Sequence, residues 1–157
     1  MAAAAMTCRL CTSEMSLRTL GPLTGEDGPV QVKIKELPAL ECSKGHRRFA
    51  TPSFPIDLLN SLAGNLKGQI PTATASGFLV KHYHCSCGKE LAGSGRSASF
   101  PVEISLKDVP AVRLEVTVQT FKCEGCGKDQ VRSVGKVLEK VPAAMAYAFQ
   151  DAALRPS

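Results

Sequence analysis

Seven cysteines and one histidine are arranged along this chain in four close pairs. The pairs are Cys8 with Cys11, Cys42 with His46, Cys85 with Cys87, and Cys123 with Cys126. Two such residues form a tight turn, here called a knuckle, that presents both donor atoms to one metal ion. A second knuckle about 30 residues along the chain can complete a tetrahedral site. The spacing therefore predicts two successive four-ligand sites, site 1 from knuckles 1 and 2 and site 2 from knuckles 3 and 4.

Other uses of cysteine fit this pattern less well. A disulfide framework is disfavoured because the number of cysteines is odd and residues 1–6 are alanine-rich, uncharged and too short for a secretory signal. A redox Cys-x-x-Cys pair does not require a matching pair downstream. Iron fits a four-sulfur site by ligand type, but the histidine in site 1 favours zinc. We therefore expect two Zn²⁺ ions per chain.

The third knuckle leaves one ligand open. Its two cysteines are one residue closer together than in a standard knuckle, and His84 lies three residues before Cys87, so His84 could replace Cys85. A thiolate is the stronger zinc ligand, and Cys85 would otherwise be the one unused cysteine. Both observations favour Cys85.

The second knuckle supplies the fourth ligand of site 1. His46 follows Cys42 after three residues, and Gly45 permits the tight turn that this spacing requires; a loop histidine is the alternative. With His46 bound, both sites are filled, whereas catalytic zinc keeps an open position. The glycines at 93–95 suggest a hairpin tip and not a phosphate-binding loop. We therefore expect no enzyme activity and no small-molecule substrate.

The length of the chain allows two small domains. Units of about 65 to 80 residues bury little apolar surface, so bound metal would stabilise each. The expected fold is a small, metal-stabilised α+β protein with two zinc-ribbon β-hairpin units, each followed by a helix. The units are residues 1–66 and 78–157, which we expect to fold independently. Residues 67–77 are small, polar and turn-prone and form the predicted linker, flanked by Ile70 and Phe78 to Val80, which could pin it to a domain surface.

A short internal repeat supports a duplication. Residues 34–40 and 106–112 match position by position, by identity or conservative exchange. Each copy lies between the two knuckles of its own site. We therefore expect both copies on the strands that link the knuckles.

Alternating apolar residues predict the hairpins. In the second unit, residues 100–106 and 112–118 alternate on either side of a turn at 107–110. In the first unit, residues 30–34 alternate after a turn at 25–29, and a strand at 15–20 is the predicted partner.

Helical patterns follow each hairpin. Pro55 is suited to a first turn, apolar residues recur from 56 to 62, and Gly64 marks the predicted end. From Val134 onward, an apolar stripe at helical spacing continues past Pro142 to Leu154. The second stripe could pack against its own ribbon, or it could dock a partner or a second copy of the chain.

The charge of the chain depends on its metal content. The formal charge is +5; seven thiolates contribute −7 and two zinc ions +4, which leaves about +2. Lysines and arginines near the knuckles could balance thiolate charge or bind nucleic acid. Apart from Tyr83 and Phe121, aromatic residues for base stacking are nearly absent there.

Two binding functions remain open, a protein–protein interaction module or assembly subunit, including a homo-oligomer, and a nucleic-acid-binding protein. No apolar run approaches the roughly 20 residues of a membrane-spanning helix, so no membrane association is expected. Free thiolates indicate a cytoplasmic, reducing compartment.

Knuckles 1 and 2 carry a resemblance to a known family. Cys8-Arg-Leu-Cys11, a hairpin, and then Leu37-Pro-Ala-Leu-Glu-Cys42 resemble the YgiT-type zinc finger, the metal-binding half of MqsA-type antitoxins. The likeness covers residues 7–48 well and 84–128 loosely. Cys42-Ser-Lys-Gly-His46 departs from that pattern and is similar to the zinc-binding N-terminus of large-subunit rRNA guanine methyltransferases, although no methyltransferase pattern follows it.

The resemblance implies a metal-stabilised binding module. In the antitoxin family the zinc half contacts a toxin, and a separate helix-turn-helix domain binds operator DNA. No helix-turn-helix pattern follows either ribbon in this sequence. The resemblance therefore implies an antitoxin-like binding role through the zinc half, and it does not extend to autoregulating repression.

Overall fold

The computed structural model describes residues 6–91 and 95–155. These residues form two helices and eleven strands, several of them very short. The helices are α1 (Phe54–Gln69) and α2 (Val134–Asp151). The strands are β1 (Met6–Thr7), β2 (Glu14–Leu20), β3 (Leu23–Asp27), β4 (Val30–Cys42), β5 (Arg47–Phe49), β6 (Thr74–Ser76), β7 (His82–His84), β8 (Arg96–Ile104), β9 (Val112–Lys122), β10 (Asp129–Gln130) and β11 (Leu154–Arg155). The predicted hairpin tip at Gly93 and Ser94 lies outside the described residues.

Strand β4 is the centre of a curled, mostly antiparallel sheet and has different neighbours along its two halves. Its first half lies between β3 and β9, and its second half lies between β2 and β5. A register irregularity between Ile34 and Glu36 marks the change of neighbours. The coarse prediction of a small α+β fold is confirmed.

The strand pairing in the first unit differs from the prediction. Strand β2 pairs with the second half of β4, where Met15 lies opposite Cys42. The partner of residues 30–34 is β3, most of which lies in the predicted turn at 25–29. The glycine and acidic residues of β3 are typical of turns, but only Gly28 and Pro29 form the reversal.

The long hairpin of the second unit is confirmed, but the repeat does not form equivalent structures. Strands β8 and β9 pair without interruption from Arg96 opposite Thr120 to Ile104 opposite Val112. Residues 34–40 lie inside β4, whereas residues 106–111 form the turn between β8 and β9. Asp108 adopts a left-handed backbone conformation that helps reverse the chain there.

Helix α1 is longer than predicted and takes up part of the predicted linker. Gly64 does not end it, because Leu58, Leu62 and Leu66 recur every four residues and are completely buried along one face. Residues 67–69 form its last turn and residues 74–76 form β6. The predicted linker is therefore mostly regular structure.

Helix α2 packs against strands of the first unit, which neither alternative for its apolar stripe anticipated. Its buried face lies on β3 and β4. The contact is so close that a Cβ atom at Gly25 would lie 1.9 Å from the carbonyl oxygen of Ala144. At its end, the short strand β11 pairs in parallel with β5.

The two predicted units share one main core. Strands β4 and β9 pair with each other, and one apolar cluster contains residues from both helices and from strands on both sides of residues 67–77. Each knuckle pair has only a small apolar cluster of its own, with Met15 and Leu40 at site 1 and Leu91 and Phe121 at site 2. The predicted linker therefore does not separate two cores.

Candidate metal centres

The first set of predicted ligands converges at one end of the sheet. Cys8 and Cys11 precede β2, while Cys42 ends β4 and His46 precedes β5. The Nδ1 atom of His46 lies 3.5 Å from the sulfur of Cys8 and 3.4 Å from that of Cys42, and the sulfurs of Cys11 and Cys42 are 3.6 Å apart. The donor atoms of all four residues lie within 4.8 Å of one another.

The second set converges at the end of β9. The sulfur of Cys85 lies 3.5 Å from that of Cys126, and the sulfur of Cys87 lies 3.5 Å from that of Cys123. The Nδ1 atom of His84 is instead 3.3 Å from the hydroxyl oxygen of Ser76. The four sulfurs form the cluster, and His84 is not part of it.

The antiparallel pairing of β4 and β9 separates the two sites. Cys42 stands at the end of β4, and Cys123 directly follows β9. Because the two strands run in opposite directions, their C-terminal ends point to opposite ends of the sheet. Each site therefore holds the end of one of the two strands on which the shared sheet depends.

The distances between donor atoms fit tetrahedral zinc. Zn–S bonds of about 2.3 Å and Zn–N bonds of about 2.0 Å give tetrahedral S–S separations of about 3.8 Å and S–N separations of about 3.5 Å. The separations quoted above, 3.5–3.6 Å and 3.4–3.5 Å, are close to these values. A disulfide would need an S–S distance of about 2.05 Å, and all seven cysteines are free. The donor sets therefore fit one Zn²⁺ each.

The four knuckles contain only two kinds of turn. In knuckles 1 and 4, the first cysteine donates its backbone N–H five residues ahead, Cys8 to Ser13 and Cys123 to Lys128. In knuckles 2 and 3 the same bond reaches four residues ahead, and a glycine N–H returns to the cysteine carbonyl. Knuckle 3 is thus the same turn as knuckle 2, with its second ligand before the glycine instead of after it. This explains why Cys85 and Cys87 are one residue closer together than the ligands of a standard knuckle.

The order of these turns differs between the sites. Site 1 uses the longer turn first and the shorter turn second, whereas site 2 uses them in the opposite order. A tandem duplication would keep the same order in both copies. The turn geometry therefore gives no support to the duplication that the short repeat suggested.

Thr12 occupies a position where the other knuckles have glycine. Its φ is 60°, and the corresponding glycines Gly45, Gly88 and Gly127 have φ values of 82°, 93° and 79°. A β-branched residue is strained in this left-handed region. Only part of that cost is offset by the hydrogen bond that the Thr12 hydroxyl donates to the Cys11 carbonyl at 2.6 Å.

We expect Thr12→Gly to stabilise the zinc-loaded protein by about 1 kcal/mol, because it removes this backbone strain. Thermal unfolding of the holo protein measures the effect as a rise in Tm. Gly127→Thr places the same residue at the equivalent position of knuckle 4 and should lower Tm. A fall in Tm for Thr12→Gly would show that Thr12 is not strained.

Local hydrogen bonds stabilise thiolates in both sites. The hydroxyl and the backbone N–H of Ser13 lower the pKa of Cys11 to about 6. The backbone N–H of Cys87, followed by the side chain of Gln130, lowers the pKa of Cys85 to about 5. Gln130 is completely buried, and its amide atoms have no partner with full hydrogen-bond geometry. The backbone N–H of Cys126 also lowers the pKa of Cys123. Each site therefore has at least one sulfur that is ready to bind a cation at neutral pH.

Other cysteines need the positive charge of the metal to lose their protons and become thiolates. Desolvation raises the pKa of Cys42. The backbone N–H of Lys128 lowers the pKa of Cys126, but the neighbouring sulfurs, led by Cys85, together with burial outweigh it and raise the pKa to about 11. Zinc binding must displace the protons from such thiols, so the affinity should fall as the pH falls.

Several cations near site 2 are already engaged inside the chain. The guanidinium of Arg132 lies 4.0 Å from the centre of the Phe121 ring. The Nζ atom of Lys136 donates to the Tyr83 hydroxyl at 3.3 Å, and Arg96 pairs with Asp129. The two aromatic rings that could have stacked on bases therefore have cations beside them.

Comparisons of the chain with protein-family models, with curated proteins and with solved structures find no match. The resemblance to YgiT-type zinc fingers therefore remains a prediction that rests on the residues quoted for it. Within residues 6–91 and 95–155, no helix is long and apolar enough to span a membrane.

Proposed function

We propose that this chain is a non-catalytic zinc protein that acts as a protein–protein interaction module or as a subunit of a larger assembly. The observation that supports this most is the closure of both metal sites. Each brings together four Cys or His donors, the number that a structural Zn²⁺ ion uses. In this proposal, zinc maintains the shape of the chain, and the surface carries the function.

Catalytic zinc sites are built differently. They have three protein ligands and a fourth position that is open to water or substrate, usually with a carboxylate or histidine nearby as base. Among the described residues, neither donor cluster includes a carboxylate, and neither has fewer than four donors. The composition of both sites therefore favours a structural role.

The surface offers an apolar feature suited to protein binding. Phe78, Leu79 and Val80 are consecutive in the chain and are 97%, 90% and 67% exposed. Single exposed apolar residues are common on protein surfaces, but contiguous ones mark contact sites. From the sequence, Ile70 and Phe78 to Val80 could pin the linker to a domain surface. Ile70 is buried in the core, whereas Phe78 to Val80 are exposed and do not pin it.

Nucleic-acid binding is the second function considered, and the surroundings of site 2 give it less support. Arg132, Lys136 and Arg96 are engaged with groups of the chain itself. Phosphate contacts are strongest at low salt. If the holo protein binds neither DNA nor RNA at low ionic strength, this function is excluded; if it binds in a salt-dependent manner, the order of the two proposals is reversed.

We further propose that the protein works in a reducing compartment, because its seven cysteines are free and are needed as thiolates. A cytoplasmic location is the simplest one that meets this condition. An oxidising compartment would convert the knuckles to disulfides and remove the metal.

Cobalt substitution tests the closure of the sites. We expect Co²⁺ protein to show tetrahedral spectra with thiolate charge-transfer bands, because cobalt accepts the same ligands as zinc. Added azide or thiocyanate should leave the spectrum unchanged, since no position is open. A spectrum that changes with the anion would reveal an open coordination position and would contradict the non-catalytic proposal.

A further inference from the structure

The apolar residues 78–80 form the tip of a small hairpin that is held at the base of site 2. Strands β6 and β7 pair with each other and not with the main sheet, and all residues from 74 to 82 are exposed. Gly77 has a φ of 106°, and a Cβ atom there would lie 2.1 Å from the carbonyl oxygen of Val80. The turn is therefore tightly built and presents its apolar side chains outward.

The hairpin is anchored so that its tip keeps its direction. Cys85 directly follows β7, the carbonyl of Tyr83 accepts the Leu91 N–H at 2.8 Å, and His82 lies 2.7 Å from Glu90. Lys81 stands next to His82 at this turn, and no ion pair within residues 6–91 and 95–155 includes it. We call residues 78–81 the tip.

A groove on the same chain has the complementary character. It lies between the start of α1 and the turn joining β8 to β9, has a volume of about 280 Å³, and is lined by the apolar side chains of Phe54, Leu106 and Val109. Asp57, Asp108 and Lys107 also line it, and all three are exposed, so the charged lining has two carboxylates and one ammonium group. We call this cavity the groove.

The convex tip and the concave groove match in shape and in charge. The tip has three apolar side chains followed by a lysine. The groove is lined by apolar residues, two carboxylates and Lys107, so its charged lining is negative by one charge. Among the described residues, Phe78, Leu79 and Val80 of the tip are 67–97% exposed, and Asp57 and Asp108 of the groove are exposed as well. We propose that the tip of one chain docks in the groove of a second copy of the same chain, with Lys81 facing Asp57 and Asp108.

The size of this contact sets its expected strength. In a two-fold dimer each chain contributes one tip and one groove, so the contact occurs twice. Each contact buries three apolar side chains and the groove surface around them. Over both contacts, the buried accessible surface is on the order of 1,000 Å², which lies in the lower range for specific interfaces. We therefore expect a reversible dimer with a dissociation constant in the micromolar range, on the order of 10 μM. This inference rests on the proposed interaction function and names its partner.

Charge reversal with two variant chains tests the contact. Lys81→Glu places a carboxylate opposite Asp57 and Asp108 at both contacts of its own dimer. Asp108→Lys places a lysine opposite Lys81 and leaves Asp57 as the one opposite charge in the groove. Each variant should weaken dimerisation at least about tenfold. In an equimolar mixture, the mixed dimer has one contact between Lys81 and an unchanged groove. Its other contact joins the glutamate introduced at position 81 to the lysine introduced at position 108, so opposite charges meet at both. Sedimentation equilibrium of each variant and of the mixture should show the mixture dimerising about as well as the wild type.

Controls separate this contact from general effects of substitution. Lys67→Glu reverses an exposed charge in the last turn of α1 at a residue that belongs to neither the tip nor the groove, and it should leave dimerisation unchanged. Leu79→Asp should abolish dimerisation, and zinc content and Tm verify that each variant is folded.

Two results would overturn the proposal: a wild type that stays monomeric at about 100 μM, well above the expected dissociation constant, or a mixture that dimerises no better than its components. A monomer with two closed metal sites would overturn the dimer and leave the interaction function in place. Anion-sensitive cobalt spectra would overturn that function instead.

Discussion

Replacing Cys42 or Cys123 by serine is expected to destabilise the whole chain and not one half of it. Cys42 ends β4 and Cys123 follows β9, and these strands pair in the shared sheet. Structural zinc contributes roughly 10 kcal/mol to small zinc domains, comparable with the total stability of a domain. We therefore expect each variant to lose at least ~5 kcal/mol of unfolding free energy. This replaces the expectation from the sequence of two independently folding units.

Hydrogen exchange followed by mass spectrometry measures where protection is lost. In Cys123→Ser we expect faster exchange in β9 and also in β4 and α2, because β9 pairs with β4 and α2 packs on β4. Ser43→Ala, next to Cys42 but not a ligand, is the matched control and should exchange like the wild type. Loss confined to residues 78–155, with β2 to β5 fully protected, would show that the two units are independent.

Gly25→Ala is expected to cost about 3 kcal/mol or more, because its new methyl group has no space. The Cβ atom would lie 1.9 Å from the carbonyl oxygen of Ala144 and 2.5 Å from the backbone nitrogen of Ala148. Both atoms belong to the α2 backbone, which cannot move aside like a side chain. Either α2 must shift off β3 or the strand must distort, and chemical denaturation of the zinc-loaded protein measures the loss.

Gly64→Ala provides the matched control. Gly64 lies inside α1, and a Cβ there would have no neighbouring atom within 4 Å. Alanine is the better helix former by about 1 kcal/mol, so this variant should be more stable than the wild type. If both variants changed stability by the same amount, the close packing of α2 on β3 would be wrong.

The parts of the structure that the sequence predicts well are those that depend on near neighbours. The ligand pairs lie a few residues apart, and the structure groups them as their spacing suggests. The hairpin of β8 and β9 is likewise local, with an unbroken alternation on both sides of a short turn. In both cases the residues that determine the geometry are close together in the chain.

The parts that the sequence misses depend on distant partners. Strand β3 contains Gly25 and Asp27, which favour turns, and it forms a strand because β4 pairs along its edge and α2 covers one face. Residues 34–40 and 106–112 are alike in sequence, but only the first segment has strand neighbours on both sides. In these segments, pairing with strands that are distant in the sequence overrides the local structural propensity.

The ambiguity at Cys85 had a local signal that could have resolved it. Gly88 stands three residues after Cys85 just as Gly45 stands three residues after Cys42. Aligning the two knuckles on their glycines, and not on their second ligands, shows the same turn. The exposure of Phe78 to Val80 had no such signal, because an apolar run is equally compatible with a core.

The metal content of the purified full-length chain tests the central claim most directly. Two closed donor sets of matching geometry predict two zinc ions per chain by elemental analysis, with no stoichiometric iron. The protein should be expressed with both zinc and iron in the medium, so that the metal content reflects the preference of the two sites. A content of one zinc or less in folded protein, or iron in place of zinc, would contradict the account.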